Sequence, residues 1–258
     1  MNVYTHPVES TVEGIPKRFI QVWLPPGYAE DKDTAYPVLY FHDGQNVFAP
    51  GGHYGCWYAE RSARKAVSEG CVPPFIIAAI DNHGDDRRYE YVPPEDRIKE
   101  YPPGRADAYA EFVLNNVMPE INRRYRTLTG PENTAIAGSS LGGVVSLYLA
   151  FETGAFGRVC SMSTAIFWAP NFLARLMVRD PLPLRIYHDV GTLENTSMAP
   201  ANYREVNREL DRVLRGAVVN PEENVQFVIA ENEDHNEAAW EKRFPQMLPW
   251  LWADNDEI

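Results

Sequence analysis

Residues Gly138-Ser139-Ser140-Leu141-Gly142 match the pattern GxSxG, in which a serine on a sharp strand-to-helix turn holds its hydroxyl out as a nucleophile. So tight a turn brings the residues two before and two after the serine together, where a Cβ would clash, and this steric demand accounts for both glycines. Ser140, not Ser139, sits at the centre. The pattern arises by chance in about one chain in twenty of this serine content, so its context matters: the strand-like run TAIAG precedes it and the apolar run GVVSLYLAFE follows. A serine hydroxyl is a weak nucleophile near neutral pH and needs a base to take its proton and a carboxylate to orient that base. On such an elbow the partners follow in the order Ser, acid, His. Of the six histidines, His235 alone lies at the end of a late strand, after a candidate acid. His6 is near the terminus, His53 and His83 fall in loops, and His188 lies within a strand. The acid is Glu194, in the Thr192-Leu193-Glu194-Asn195 loop, or Asp189 at the edge of the strand before it; the loop position favours Glu194.

Strand-like and helical patterns alternate along most of the chain. RFIQVWLP and YPVLYFHDG come first, then a helix candidate from Trp57 to Glu69 closed by Gly70. PFIIAAID is too uniformly apolar for a sheet with one wet face and suits a strand covered on both sides. Phe112, Val113, Val117 and Ile121 recur at helical spacing, with a kink expected at Pro119. After TAIAG and its helix come the strand RVCSMS, a short helix at NFLARLM and the strand LRIYHDVG. A helix is expected from Tyr203, capped by Asn202 with Glu205 three residues on and closed by Gly216. Strand VQFVIA and a last helix with Trp240, Phe244, Leu248 and Leu251 complete the series. This alternation implies an α/β fold with a mainly parallel sheet and helices on both faces. No linker or repeat interrupts it, so residues 1–258 read as one domain. Between Asp81 and Arg105 the chain is aperiodic, with two Pro-Pro pairs and three tyrosines, and reads as a wall or lid beside a pocket.

LYFHDGQNVF, the helix ending INRRYR, TAIAGSSLGG, STAIFWAP, DVGTLEN and EDHNEAAW together resemble the putative-esterase branch of the α/β-hydrolases, the group of enterochelin esterases, feruloyl esterases, S-formylglutathione hydrolase and mycolyltransferases. The likeness runs from about Arg18 to Trp252. It implies an α/β-hydrolase fold, a small-molecule ester substrate and a triad of Ser140, Glu194 and His235, the acid following a Gly-Thr pair as Glu194 does; many members carry aspartate there. An oxyanion hole uses the backbone N–H after the nucleophile, here Leu141, and one from the loop after the third strand, which the family's Asp-Gly-X turn assigns to Gln45. Trp57, Tyr91, Phe167 and Trp168 are candidates for the substrate pocket, with Tyr89 beside them, and Arg87 and Arg88 read as surface ion-pairing residues.

With a net charge of −12 the chain would be repelled by nucleic acid and by anionic membranes. No run approaches the ~18 apolar residues of a membrane span, and the N-terminus lacks a basic start followed by an apolar stretch. Cys56, Cys71 and Cys160 are odd in number and scattered, as expected of reduced thiols in a cytoplasmic protein. His42, Asp43, Asp81, His83 and Asp85 offer metal-type ligands, but their spacing matches no familiar pattern. No cofactor is therefore expected. An acyltransferase shares all the predicted machinery, and a non-catalytic binding module is the reading from another class.

Overall fold

A computed structural model describes residues 3–50 and 55–252. His53 lies outside the described residues. Eight strands, β1 (Val3–Val8), β2 (Arg18–Trp23), β3 (Val38–His42), β4 (Ile76–Ile80), β5 (Thr134–Ser139), β6 (Arg158–Met162), β7 (Arg185–Gly191) and β8 (Val225–Ala230), form one sheet in the order β1-β2-β4-β3-β5-β6-β7-β8. The pairings of β2 with β1 and β4 are antiparallel, and the remaining five pairings are parallel. The central strands are buried throughout because they are apolar on both faces. Along β3, Val38 and Tyr40 enter one core while Leu39 and Phe41 enter the other, as the period-2 geometry of a strand requires.

The helices are α1 (Ala59–Ser68), α2 (Arg87–Glu90), α3 (Ala106–Phe112), α4 (Met118–Arg124), α5 (Leu141–Thr153), α6 (Pro170–Leu176), α7 (Pro200–Ala217), α8 (Pro221–Asn224) and α9 (Glu237–Trp252). Tyr109 of α3, Val144 of α5, Phe172 of α6 and Leu210 of α7 fill one core. Ala63 of α1 and Trp240, Phe244 and Leu248 of α9 fill the other. No helix among the described residues is long and apolar enough to cross a membrane. The chain leaves β3 towards one side of the sheet and returns through β5 on the other, so the crevice at their carboxyl ends is the position where open α/β sheets bind ligands.

Three details differ from or add to these expectations. The kink at Pro119 is taken up by a π-helical turn at Val113–Val117, since a proline has no N–H to return to the preceding turn. Helix α7 starts at Pro200 and runs through Gly216 to Ala217; proline's fixed φ suits the first helical turn, so Asn202 caps nothing. Strand β1 goes unread in the sequence because Pro7 and its polar neighbours disguise it, and proline is tolerated there because β1 is an edge strand.

The aperiodic stretch 81–105 is a folded wall. A 3-10 turn at Gly84–Asp86 leads into α2. Arg18 donates from Nη1 and Nη2 to the two oxygens of Glu90 at 2.9 and 2.8 Å, with both side chains 2% exposed. Farther on, Asp96 accepts the backbone N–H groups of Asn171 and Phe172 in the first turn of α6, at 2.9 and 3.0 Å, satisfying donors that a helix start leaves open. Removing one partner of a buried pair strands the other charge. Arg18→Met is therefore expected to lower stability by about 3–5 kcal/mol in urea denaturation, and adding Glu90→Leu to recover most of that loss.

Candidate active site

Strand β5 ends at Ser139 and α5 begins at Leu141, leaving Ser140 alone at the turn with φ 58° and ψ −122°. That conformation is costly for a residue with a Cβ and is held by hydrogen bonds on both sides. The Ser140 N–H donates to Met162 O at 2.9 Å, and its carbonyl accepts from Gly143, Val144 and Ala165 at 3.2–3.3 Å. A Cβ on Gly138 would stand 2.6 Å from the carbonyl carbon and oxygen of Gly142, so glycine is required; a Cβ on Gly142 would come 3.2 Å from Asp43 Oδ2. Of the two serines, Ser139 is buried and Ser140 is partly exposed.

Glu194 and His235 come from the loops after β7 and β8. His235 Nδ1 lies 2.6 Å from Glu194 Oε2; a carboxylate can only accept, so this nitrogen carries the proton and Nε2 keeps a free lone pair. The other oxygen, Oε1, accepts from Ser163 Oγ and from the Gly191 N–H, each at 2.6 Å. Burial alone would push the Glu194 carboxyl up, but the bonds from His235, Ser163 and Gly191 outweigh it and hold it below the ordinary range. A Cβ on Gly191 would meet Glu233 O at 2.2 Å, so the segments carrying Glu194 and His235 touch through a glycine. Tyr203 and Trp240 present their rings to the imidazole at 5.4 and 5.1 Å. Asp189 is engaged elsewhere. It is fully buried, it lies 3.1 Å from Arg243 Nη1 and it accepts the Ser163 N–H. Burial pushes its pKa up to about 6 against the pull of Arg243.

Ser140 and His235 line one cavity of about 550 Å³, together with Asp43, Gln45, Asn46, Trp57, Asn82, Arg87, Glu237 and Trp240 among others. Gln45 is anchored through its amide, which exchanges bonds with the backbone of Asn82, and it sits in the 3-10 turn after β3. Leu141 is the first residue of α5, and a first-turn N–H has no intrahelical acceptor. Arg87 is not a surface ion-pairing residue. Its Nε and Nη2 grip both oxygens of Asp43 at 2.6 and 2.8 Å, joined by Asn82 Nδ2 at 2.7 Å. Arg88 meets the Tyr101 hydroxyl. Glu237 accepts from Asn46 Nδ2 at 3.2 Å, and burial, with the charge of Asp43 adding to it, pushes its pKa up to about 7.

Of the aromatic candidates, Trp57 lines the cavity and stacks on Trp240 at 5.6 Å. Tyr91 does not line it. It is fully buried, 5.2 Å from both His42 and Tyr109, because α2 turns it into the core. Phe167 and Trp168 are also absent from the lining; they pack on each other, and Phe167 abuts Tyr203, so they support the residues around His235 from behind. Tyr89 packs on Tyr101. The metal-type ligands are drawn apart: His42 bonds Tyr109, Asp43 bonds Arg87, Asp81 bonds Gln21 and His83 bonds Asp86. Burial drives the His42 pKa down to about 3. Among the described residues no cluster could hold a metal ion. Sequence reasoning missed Asn46, Asn82, Glu237 and Ser163. All four lie in stretches singled out in the sequence, Asn46 in LYFHDGQNVF, Asn82 in the aperiodic segment 81–105, Ser163 at the start of STAIFWAP and Glu237 in EDHNEAAW, but nothing in their spacing marks them within those stretches.

The family model described as Putative esterase matches residues 16–251. Among curated proteins, the uncharacterized protein YbbA of Bacillus subtilis is 21% identical over 92% of this chain and 94% of its own length. The iron(III) enterobactin esterase of Dickeya dadantii is 25% identical over 92% of this chain, which spans only 52% of that enzyme. Among solved structures, enterobactin esterase from Shigella flexneri superposes with a TM-score of 0.78 at 18% identity, covering 98% of this chain and 59% of that one. A ferulic acid esterase superposes with a TM-score of 0.71 at 21% identity, covering 97% and 96%. With the match extending over nearly the whole chain, the protein belongs to the Putative esterase family and has the α/β-hydrolase fold.

Proposed function

We propose that the protein is a serine carboxylic-ester hydrolase working through an acyl-serine intermediate, with Ser140 as nucleophile, His235 as base and Glu194 as the acid that orients it. The observation that carries this reading is the Glu194–His235 hydrogen bond opening onto the same cavity as the strained serine. Ser140 Oγ attacks the ester carbonyl while His235 Nε2 takes its proton. Glu194 stabilises the imidazolium that forms, and the N–H groups of Leu141 and Gln45 receive the developing oxyanion. His235 then protonates the departing alcohol. Water attacks the acyl-serine with the same imidazole as base, releasing the acid and restoring the hydroxyl.

The lining also bears on substrate. Among the described residues around the cavity there is no Leu, Ile, Val or Met; the wall is made of carboxylates, amides, guanidinium groups and buried aromatic rings. Each methylene placed on an apolar wall gains about 0.8 kcal/mol, and here only the rings of Phe41, Trp57 and Trp240 supply such a surface, with no aliphatic side chain to extend it. Short or hydroxylated acyl groups, which can exchange hydrogen bonds with Asn46, Asn82 and Arg87, fit it better. The enterobactin and ferulic acid esterases among the relatives are consistent with a polar substrate of this kind.

Two outcomes are expected. Ser140→Ala lowers turnover of p-nitrophenyl acetate by about 10⁴- to 10⁶-fold and abolishes fluorophosphonate labelling, with an unchanged circular-dichroism spectrum; an unimpaired variant rules out this nucleophile. In an acyl-length series on the wild-type protein, kcat/KM for acetate exceeds that for octanoate by about tenfold or more.

A further inference from the structure

Ser163 lies immediately after β6, fully buried, with φ 44°. Its hydroxyl oxygen has three neighbours within hydrogen-bond distance: Glu194 Oε1 at 2.6 Å, Trp240 Nε1 at 3.0 Å and Arg243 Nη2 at 2.9 Å. An indole N–H and a guanidinium N–H can only donate, and a hydroxyl has two lone pairs and one proton. With both lone pairs filled, the proton has a single acceptor left. We propose that Ser163 is a positioning residue of the triad, its proton directed onto Glu194 by Trp240 and Arg243 so that the carboxylate is held with its free oxygen on His235. The proposal rests on the Ser140–Glu194–His235 reading above.

The rest of the environment holds that arrangement. The Ser163 N–H donates to Asp189 O at 2.9 Å and its carbonyl accepts from Tyr203 OH at 2.8 Å, so the backbone cannot swing the hydroxyl away. Arg243 is itself fixed by its ion pair with Asp189 at 3.1 Å, with both side chains buried. The acid not used by His235 thus anchors the arginine that orients the serine serving the acid that is used. Two hydrogen bonds to Glu194 Oε1, from Ser163 and from Gly191, leave Oε2 to the imidazole. A carboxylate supported at one oxygen resists rotation and keeps the imidazole in the tautomer that presents Nε2 to the nucleophile.

The competing role is structural: a serine that only ties β6 to α9 through a strained backbone. Ser163→Gly and Ser163→Ala in the full chain separate the two, because glycine relieves the positive φ while both remove the hydroxyl. The readout is kcat/KM against pH for p-nitrophenyl acetate, beside the rate of fluorophosphonate labelling. Loss of a donor to the carboxylate makes the Glu194–His235 pair take up its proton at higher pH. Both variants are therefore expected to lose about 10- to 100-fold in kcat/KM and to show an acid limb displaced upward by about half to one pH unit, with glycine no better than alanine. Trp240→Phe, which removes one donor to Ser163 and keeps an aromatic side chain, is expected to move the limb the same way by less, and it carries the test where the Ser163 variants fail to fold. Wild-type activity in Ser163→Gly, or a lowered plateau with an unmoved acid limb in the folded variants, overturns the role of Ser163 alone. A wild-type protein that no fluorophosphonate labels overturns the acyl-serine reading, and this inference with it.

Discussion

A carboxylate with no exposure to water is the constraint from which the rest of the site follows. Glu194 is wholly buried, and an unpartnered ion in that position would cost several kcal/mol or take up a proton. It does neither, because each of its oxygens is occupied: one by the His235 ring, the other by Ser163 and the Gly191 N–H. Those donors come from three separate points along the chain, and each has requirements of its own. Ser163 needs Trp240 and Arg243 from α9, Arg243 needs Asp189 from β7, and Gly191 must be a glycine because Glu233 O fills the space of its Cβ. Burying one charge thereby ties the ends of three strands to the last helix.

The strain is distributed to match. Non-glycine residues with positive φ stand directly after three adjacent parallel strands: Asp43 after β3, Ser140 after β5 and Ser163 after β6, with Asn232 just beyond β8. Each turns the chain sharply where an extended exit would carry it out of the sheet. Asp43 thereby meets Arg87 and Asn82, Ser140 comes to face the cavity and Ser163 points at Glu194. Conformations of this sort persist only where surrounding contacts over-determine them, and the backbone bonds of Ser140 and Ser163 do that here.

How much of this was legible in the sequence divides along a physical line. Buried parallel strands are apolar along most of their length, so β3 through β7 stand out, as does the apolar run of the edge strand β8, and the glycines around Ser140 disclose the elbow because their cause is local. Glu194 and His235 could be placed because each sits just past the end of a readable strand. The direction of a side chain in an irregular stretch has no local cause. Tyr91 and Trp57 are both aromatic residues in predicted pocket loops, yet one faces the core and the other the cavity. Arg87 looked like a surface charge because its partner, Asp43, is 44 residues away. Ser163 gave no sign of its role, since the groups that define it come from positions 194, 240 and 243.

The wall formed by 81–105 decides what kind of selectivity such a cavity can have. A mobile lid selects by closing on the substrate it fits, and it needs a segment whose contacts are weak enough to break. This segment is pinned by the buried Arg18–Glu90 pair, by the two-point grip of Arg87 on Asp43 and by Asp96 on the first turn of α6. Opening it would expose or unpair several charges at once. In the proposed ester hydrolase, selection therefore falls to groups already in place in the cavity wall, chiefly the Asp43–Arg87–Asn82 cluster and the neighbouring Glu237. Arg87 spends one edge of its guanidinium on Asp43, through Nε and Nη2, and keeps Nη1 as a donor on the remaining edge. With the Asp43–Arg87 pair neutral in sum, that wall offers hydrogen-bond donors more than net charge, which suits hydroxyl and carbonyl groups better than a strongly ionic one.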